Sequence, residues 1–313
     1  MPPAPPSPAA RPLALVGTTA SGKSALALAV ARARPGTELV SVDSMAVYRG
    51  MDIGTAAPST AERAEVPVHG LDLVDPWEEF TVAEFQRAIT AAVDDVEARG
   101  GWPLLVGGTG LYLRAVVDQL DIPGRFPDVV AALEADPDTA GLHRRLAELD
   151  PEAAARMEPT NRRRVVRALE VTLGSGHPFS SFGPGLEAHP PTRYALVGVR
   201  LPRPVIDQRI AARYQAQLDA GFLDEVRRLA DDPRGPSRTA AQALGYRELL
   251  DHLAGRSTLA EAVELAITRT RRFARRQERW FRRDPRIVWL DAEHDPAEVL
   301  PALLELVDAA RST

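Results

Sequence analysis

Residues Gly17 to Ser24 read GTTASGKS, and they stand between the short apolar run PLALVG (12 to 17) and the helical pattern KSALALAVARA. This is the spacing G-x-x-x-x-G-K-[ST] in the context that gives it physical force, a strand feeding a helix through a glycine-rich turn. A chain built around that unit is committed to an α/β core, because the strand needs parallel neighbours and the helix needs a sheet face to cover. The backbone of Gly17, Thr18, Thr19, Ala20, Ser21 and Gly22 can wrap phosphate oxygens with N–H groups, and the helix N-terminus adds its positive end. Lys23 is the only lysine in the sequence, every other formal positive charge being arginine. A planar guanidinium forks where such a loop needs a compact point charge, which accounts for the exception. Ser24 offers a hydroxyl for Mg²⁺. The motif specifies a polyphosphate without saying which one.

Further short β-branched runs follow: ELVSVD (38 to 43), WPLLVGG (102 to 108), YALVGVRL (194 to 201) and RIVWLDA (286 to 292). They read as buried parallel strands. Thr81 with Glu84, and Thr258 with Glu261, have capping-box spacing and mark helix starts. The expected fold is α/β, a P-loop parallel-sheet core (12–119 and 193–313) with a helical insertion (120–192) that shows no strand. Such insertions can move as lids. The proline-dense residues 1–11 read as a disordered tail rather than a signal peptide.

With 313 residues, 45% of them hydrophobic, the chain can bury a substantial core. It lacks cysteine, which excludes disulfides, thiolate metal sites and a cysteine nucleophile. The six histidines show no ligand spacing. No apolar run is long enough to span a membrane, so a cytoplasmic enzyme is expected, acting as a monomer.

A P-loop NTPase usually holds Mg²⁺ with a carboxylate at a strand end. Here the strand WPLLV runs instead into GGTG, and the acid at the end of the second strand, Asp43, opens SMAVYRGMDIGTAAP. Asp43 and Thr109 both leave strands at the carboxyl edge of the sheet, where open α/β folds bind ligands. A small-molecule kinase and a non-catalytic RNA-binding ATPase remain open from these residues alone.

GTTASGKS, SVDSMAVYRGMDIGTAAP, VGGTGLY, RRRVVRALE, AGFLDEV, ALGYREL and TRRFARRQERWFRR together resemble the tRNA dimethylallyltransferase family, in that family's order and over nearly the whole chain. One departure is Thr18, where the family usually has proline. The resemblance implies that Gly17 to Ser24 hold the diphosphate of dimethylallyl diphosphate with Mg²⁺. It implies transfer of the dimethylallyl group to N6 of the adenine 3′ to the anticodon, in tRNAs reading codons that begin with U. Asp43 is then the general base, Thr109 a hydrogen-bonding partner in the same centre, and Arg213 a diphosphate contact, with Arg209 the alternative one helical turn earlier. A relative that prenylates free adenine nucleotides would have less use for the insertion and for a long basic helix.

Two arginine-rich segments fit an RNA partner despite a net charge of -5. One carries Arg162, Arg163, Arg164 and Arg167; the other carries nine arginines between Arg269 and Arg286, interleaved with Phe273, Trp280 and Phe281. So many like charges on one helix repel one another unless phosphates or acids meet them. The resemblance places the tRNA anticodon stem-loop against Asp43, Ser44, Met45, Ala46 and Thr109. It adds Arg163, Arg164, Val165, Val166 and Arg167 on the insertion, then Ser237, Arg238 and Gln242, and finally Thr270, Arg271, Arg275, Arg276 and Gln277. The insertion is expected to clamp the stem.

Overall fold

The computed structural model describes residues 10–312. Six strands, β1 (Leu13–Gly17), β2 (Thr37–Ser41), β3 (Val68–His69), β4 (Trp102–Gly107), β5 (Ala195–Arg200) and β6 (Val288–Asp291), form one sheet in the order β3-β2-β4-β1-β5-β6. Every pairing is parallel. The first five helices are α1 (Lys23–Ala33), α2 (Asp52–Thr55), α3 (Thr60–Glu65), α4 (Val82–Ala98) and α5 (Gly110–Val117). After these come α6 (Pro127–Glu134), α7 (Thr139–Leu149), α8 (Pro151–Ala155) and α9 (Arg162–Ser175). The last are α10 (Arg203–Asp219), α11 (Phe222–Asp231), α12 (Tyr246–Leu253), α13 (Leu259–Phe281) and α14 (Leu300–Ser312).

The sheet unit comprises residues up to Asp118 and from Pro191 onward; Gln119–Pro190 form a second unit made of α6 to α9. In the sheet unit, alternation along each strand sends side chains to two cores. Ala14, Val16, Val40 and Leu105 pack with Ile89 of α4, Tyr214 of α10 and Phe281 of α13, while Leu13, Leu15, Leu39 and Leu104 pack with Leu26 and Val30 of α1 and Leu303 and Val307 of α14. The helical unit has its own core around Leu142, Leu146, Val165 and Leu169. Both expected capping boxes form, at Thr81 on Glu84 and at Thr258 on Glu261.

The strand read as buried at 286 to 292 is the sheet edge, with Val288 51% exposed. The opposite edge, β3, is two residues long and too short to leave a periodic signal. Of the expected tail, residues 1–9 lie outside the described residues. Arg11 is tied to the sheet unit: its N–H donates to Ala310 O at 2.9 Å and its guanidinium to Arg193 O at 3.2 Å.

Candidate active site

Three neighbouring strands, β2, β4 and β1, deliver the three site segments from their carboxyl ends. The loop after β1 needs an unusual backbone. Ala20 has φ 63° and Gly22 φ 83°, and Gly22 caps α1 without a side-chain bond. Only glycine suits position 22, since a Cβ there would also fall 2.3 Å from Pro296 Cγ. Thr18 contributes through its carbonyl, which accepts from Ser21 N at 3.2 Å and from Lys23 Nζ at 3.2 Å, so its departure from proline leaves this role intact.

Lys23 is half-buried. Loss of water around its ammonium pushes it down to about 8, against the raising influence of Asp43 and with a further lowering from Arg213. The three groups therefore share one electrostatic neighbourhood. Arg213 donates from Nη1 to Thr19 Oγ1 at 2.8 Å, and Arg209 donates from Nε to Ala20 O at 2.9 Å. Both arginines project from α10 onto the loop, so the alternatives left open by the sequence are neighbours. They differ in one respect: Arg213 Nε is a buried donor with no partner among the described residues, as is Ser21 Oγ. Unsatisfied buried polar atoms are costly, and two beside this glycine-rich loop fit an anionic ligand. Burial depresses Arg213, with Tyr214 and Asp43 opposing the effect.

Across from the cradle, Asp43 accepts the Met45 N–H at 2.8 Å, which fixes the carboxylate in a local turn. Ser44 Oγ and Thr109 Oγ1 lie 3.4 Å apart, joining the segments after β2 and β4. Asp43, Ser44, Met45 and Thr109 are half-buried, and Ala46 is buried.

The segment beyond Asp43 is braced by residues the sequence reading did not assign. Glu225, 2% exposed, accepts the N–H groups of Asp52, Ile53 and Gly54 at 3.0, 2.8 and 3.1 Å, and the Tyr246 hydroxyl at 2.6 Å. Gln217 donates to Ile53 O at 2.6 Å and Gly54 O at 3.1 Å. Burial first, and Glu225 second, push the Tyr246 phenol upward, so it stays a donor. Glu225 and Tyr246 lie inside AGFLDEV and ALGYREL, but nothing in their spacing shows that they meet.

The basic helix α13 divides its charges. Arg269 pairs with Glu248; Arg271 donates to Asp207 O at 3.2 Å; beyond the helix, Arg286 reaches Asp118 at 2.7 Å and Asp284 at 2.7 Å. Arg272, Arg275, Arg276 and Arg279 are exposed. Phe281 is in the core and Trp280 stacks behind Gly110, so these aromatics pack inward instead of facing a partner. Thr270, 1% exposed, shares a 2.9 Å hydrogen bond with the Tyr214 hydroxyl, and Gln277 is also buried. Ser237 donates its N–H to Pro76 O at 2.7 Å, while Arg238 and Gln242 are exposed.

In the helical unit, Arg163 and Arg164 are exposed. Val165 and Val166 face that unit's core, and Arg167 is spent on Pro123 O, Gly124 O and Glu170. Among the described residues no group of three or more His, Cys, Asp or Glu side chains is placed to hold a metal ion. No described helix is long and apolar enough to cross a membrane.

Known proteins resemble this chain along most of its length. A family model described as IPP transferase matches residues 46–284. A tRNA dimethylallyltransferase of Kineococcus radiotolerans is 49% identical, covering 95% of this chain and 96% of the relative. One from Streptomyces coelicolor is 47% identical over 97% of each. Among solved structures, the full-length tRNA isopentenylpyrophosphate transferase of Bacillus halodurans is 35% identical with a TM-score of 0.71, covering 96% of this chain and 97% of that one. A eukaryotic dimethylallyltransferase acting on tRNA is 25% identical with a TM-score of 0.78, covering 95% and 79%. A parallel-sheet core with a glycine-rich loop between β1 and α1, and relatives matched along almost its full length, lead to one assignment: the chain belongs to the IPP transferase family.

Proposed function

We propose that the chain transfers a dimethylallyl group from dimethylallyl diphosphate to N6 of the adenine 3′ to the anticodon in tRNAs reading codons that begin with U, releasing diphosphate. The observation that carries this reading is the shared neighbourhood of Lys23, Arg213 and Asp43, a cationic cradle facing a carboxylate. A non-catalytic RNA-binding ATPase has no need of a base in that position. The relatives are named for tRNA, which favours an RNA acceptor over a free adenine nucleotide or a kinase substrate.

The chemistry follows from the groups present. As the allylic carbon–oxygen bond breaks, negative charge grows on the leaving diphosphate. Lys23, Arg213 and the loop N–H groups stabilise that charge more than they stabilise the bound donor. The adenine amine is a weak nucleophile because its lone pair is delocalised into the ring; Asp43 accepts its proton as the new bond forms, with Thr109 orienting the partners. Ser24, exposed at the second position of α1, offers one hydroxyl oxygen. Mg²⁺ fits such a sparse site, since it keeps waters and takes phosphate oxygens, and when bound it neutralises part of the diphosphate charge.

For RNA, Arg275 and Arg276 meet phosphates together with Arg163 and Arg164, and Arg238 and Gln242 add polar contacts; the target base turns out of the loop to reach Asp43. The protein acts as a monomer in this reading. The test is incubation with Mg²⁺, labelled dimethylallyl diphosphate and unmodified tRNA, followed by mapping. Label at the adenine 3′ to the anticodon is expected; ATP turnover without transfer would overturn the reading.

A further inference from the structure

On α13, Gln277 behaves differently from the residues beside it. Arg275, Arg276 and Arg279 are exposed, whereas Gln277 is only 6% exposed. Its Oε1 accepts the Thr19 N–H at 2.8 Å, and its Nε2 donates to Gly108 O at 2.7 Å. Both partners are backbone groups of fixed polarity, so the amide fits one way round. A carboxylate loses the donor and a thioether loses both bonds. Thr19 belongs to the phosphate loop after β1, and Gly108 immediately precedes Thr109 at the end of β4. One side chain thus spans the donor loop and the turn that carries the acceptor-side threonine.

Close approach is built into the turn. A Cβ at Gly108 would lie 2.6 Å from Gln277 Nε2, 3.1 Å from Gly17 O and 3.4 Å from Lys23 Nζ. The bond also commits the Thr19 N–H, leaving the diphosphate to the donors further along the loop. A neutral amide suits this place, because a negative side chain beside Lys23 would compete with the diphosphate for its charge.

We propose that Gln277 is a positioning residue: it fixes the separation between the diphosphate loop and the Thr109 turn, and makes no contact with RNA. The proposal rests on the prenyl-transfer reading above. It replaces, for this side chain, the RNA contact implied by sequence resemblance.

The test compares Gln277→Met and Gln277→Glu with the unaltered protein. It measures affinity for Mg²⁺ diphosphate by calorimetry, affinity for tRNA, the transfer rate at saturating substrates, and melting temperature. For Gln277→Met, the saturated rate should fall about 10- to 100-fold while tRNA affinity stays within about twofold, because misplaced reacting groups lose rate before they lose binding. For Gln277→Glu, diphosphate affinity should weaken by about tenfold or more through pairing with Lys23, again with tRNA affinity preserved. Weakened tRNA binding with unchanged diphosphate affinity and saturated rate would make Gln277 an RNA contact and overturn the proposal. A lower melting temperature with a normal rate per folded molecule would reduce it to packing and also overturn it. Diphosphate calorimetry needs no transfer, so a failure of the tRNA reading would show separately, as an unaltered protein that moves no label.

Discussion

The Arg213 guanidinium holds the Thr19 hydroxyl at 2.8 Å, while the Thr19 N–H is held by Gln277 at 2.8 Å. One loop residue is therefore gripped by two helices, α10 through its side chain and α13 through its backbone. The loop proposed to receive the diphosphate is preorganised from outside, which favours charge stabilisation without rearrangement during the reaction.

Arg213→Ala removes a charged donor from the cradle and frees Thr19. The turnover rate should fall about 10²- to 10³-fold, the usual cost of losing one transition-state donor. Arg209→Ala should cost less, because Arg209 Nε is engaged by the Ala20 carbonyl. Steady-state kinetics with saturating tRNA compare the two; equal losses would remove the distinction.

On the proposed reading, Lys23 makes diphosphate binding pH-dependent. Its ammonium is pushed down to about 8 in the free protein, and a bound anion favours the charged form, so affinity should decline as pH rises above about 8. Binding at higher pH should take up a proton, readable by calorimetry in buffers of different ionisation enthalpy, and Lys23→Arg should abolish that uptake. The same shift acts on stability with a fixed sign. The folded pKa lies below the unfolded one, so this group's cost is fully present below pH 8 and is relieved as pH rises toward the ordinary 10.5.

Asp43→Ala should leave tRNA affinity within a few-fold while transfer falls about 10²- to 10⁴-fold, the range for a general base. Single-turnover transfer and filter binding on the same preparation separate the two effects. Parallel losses of both would argue against proton acceptance.

Replacing Arg275 and Arg276 together by alanine should weaken tRNA binding for all sequences alike. The slope of log affinity against log salt should shrink by about 1.5 to 2, as expected for two lost phosphate contacts. An unchanged slope would take α13 out of the interface.

Glu225→Ala strips the acceptor from three backbone N–H groups and the Tyr246 hydroxyl at once. A loss of about 2 to 5 kcal/mol in unfolding free energy is expected, since buried donors left unpaired bear their full desolvation penalty. Chemical denaturation measures it, and a change below about 1 kcal/mol would mean that the segment after Asp43 finds other partners.

The sheet, the glycine-rich loop after β1 and the capped helix starts were legible in sequence because each follows from local pattern. Period, glycine placement and Thr-x-x-Glu spacing act within a few residues. Residue types at strand ends likewise pointed to Asp43 and Thr109. The inward turn of Gln277 and Thr270 was not legible: on a helix carrying nine arginines in its neighbourhood, composition suggests a surface, and only packing on α10 and the Gly108 turn shows which positions face in. Arg271 is similar, since Asp207, its partner, lies far away in sequence. Glu225 has no local signature either, because its three N–H donors lie more than 170 residues earlier.

The strand order carries a dimensional consequence. Asp43 follows β2, Thr109 follows β4 and the glycine-rich loop follows β1, three adjacent rungs of one parallel sheet. Adjacent strands lie about 4.8 Å apart, so the proposed base and the proposed leaving-group cradle are rooted about 10 Å from each other, with the threonine midway. The sheet works as a gauge block: in the proposed reaction, loop substitutions can tune which base or allyl group enters, but the span that the amine, carbon and oxygen must fill is set by the hydrogen-bond ladder beneath them.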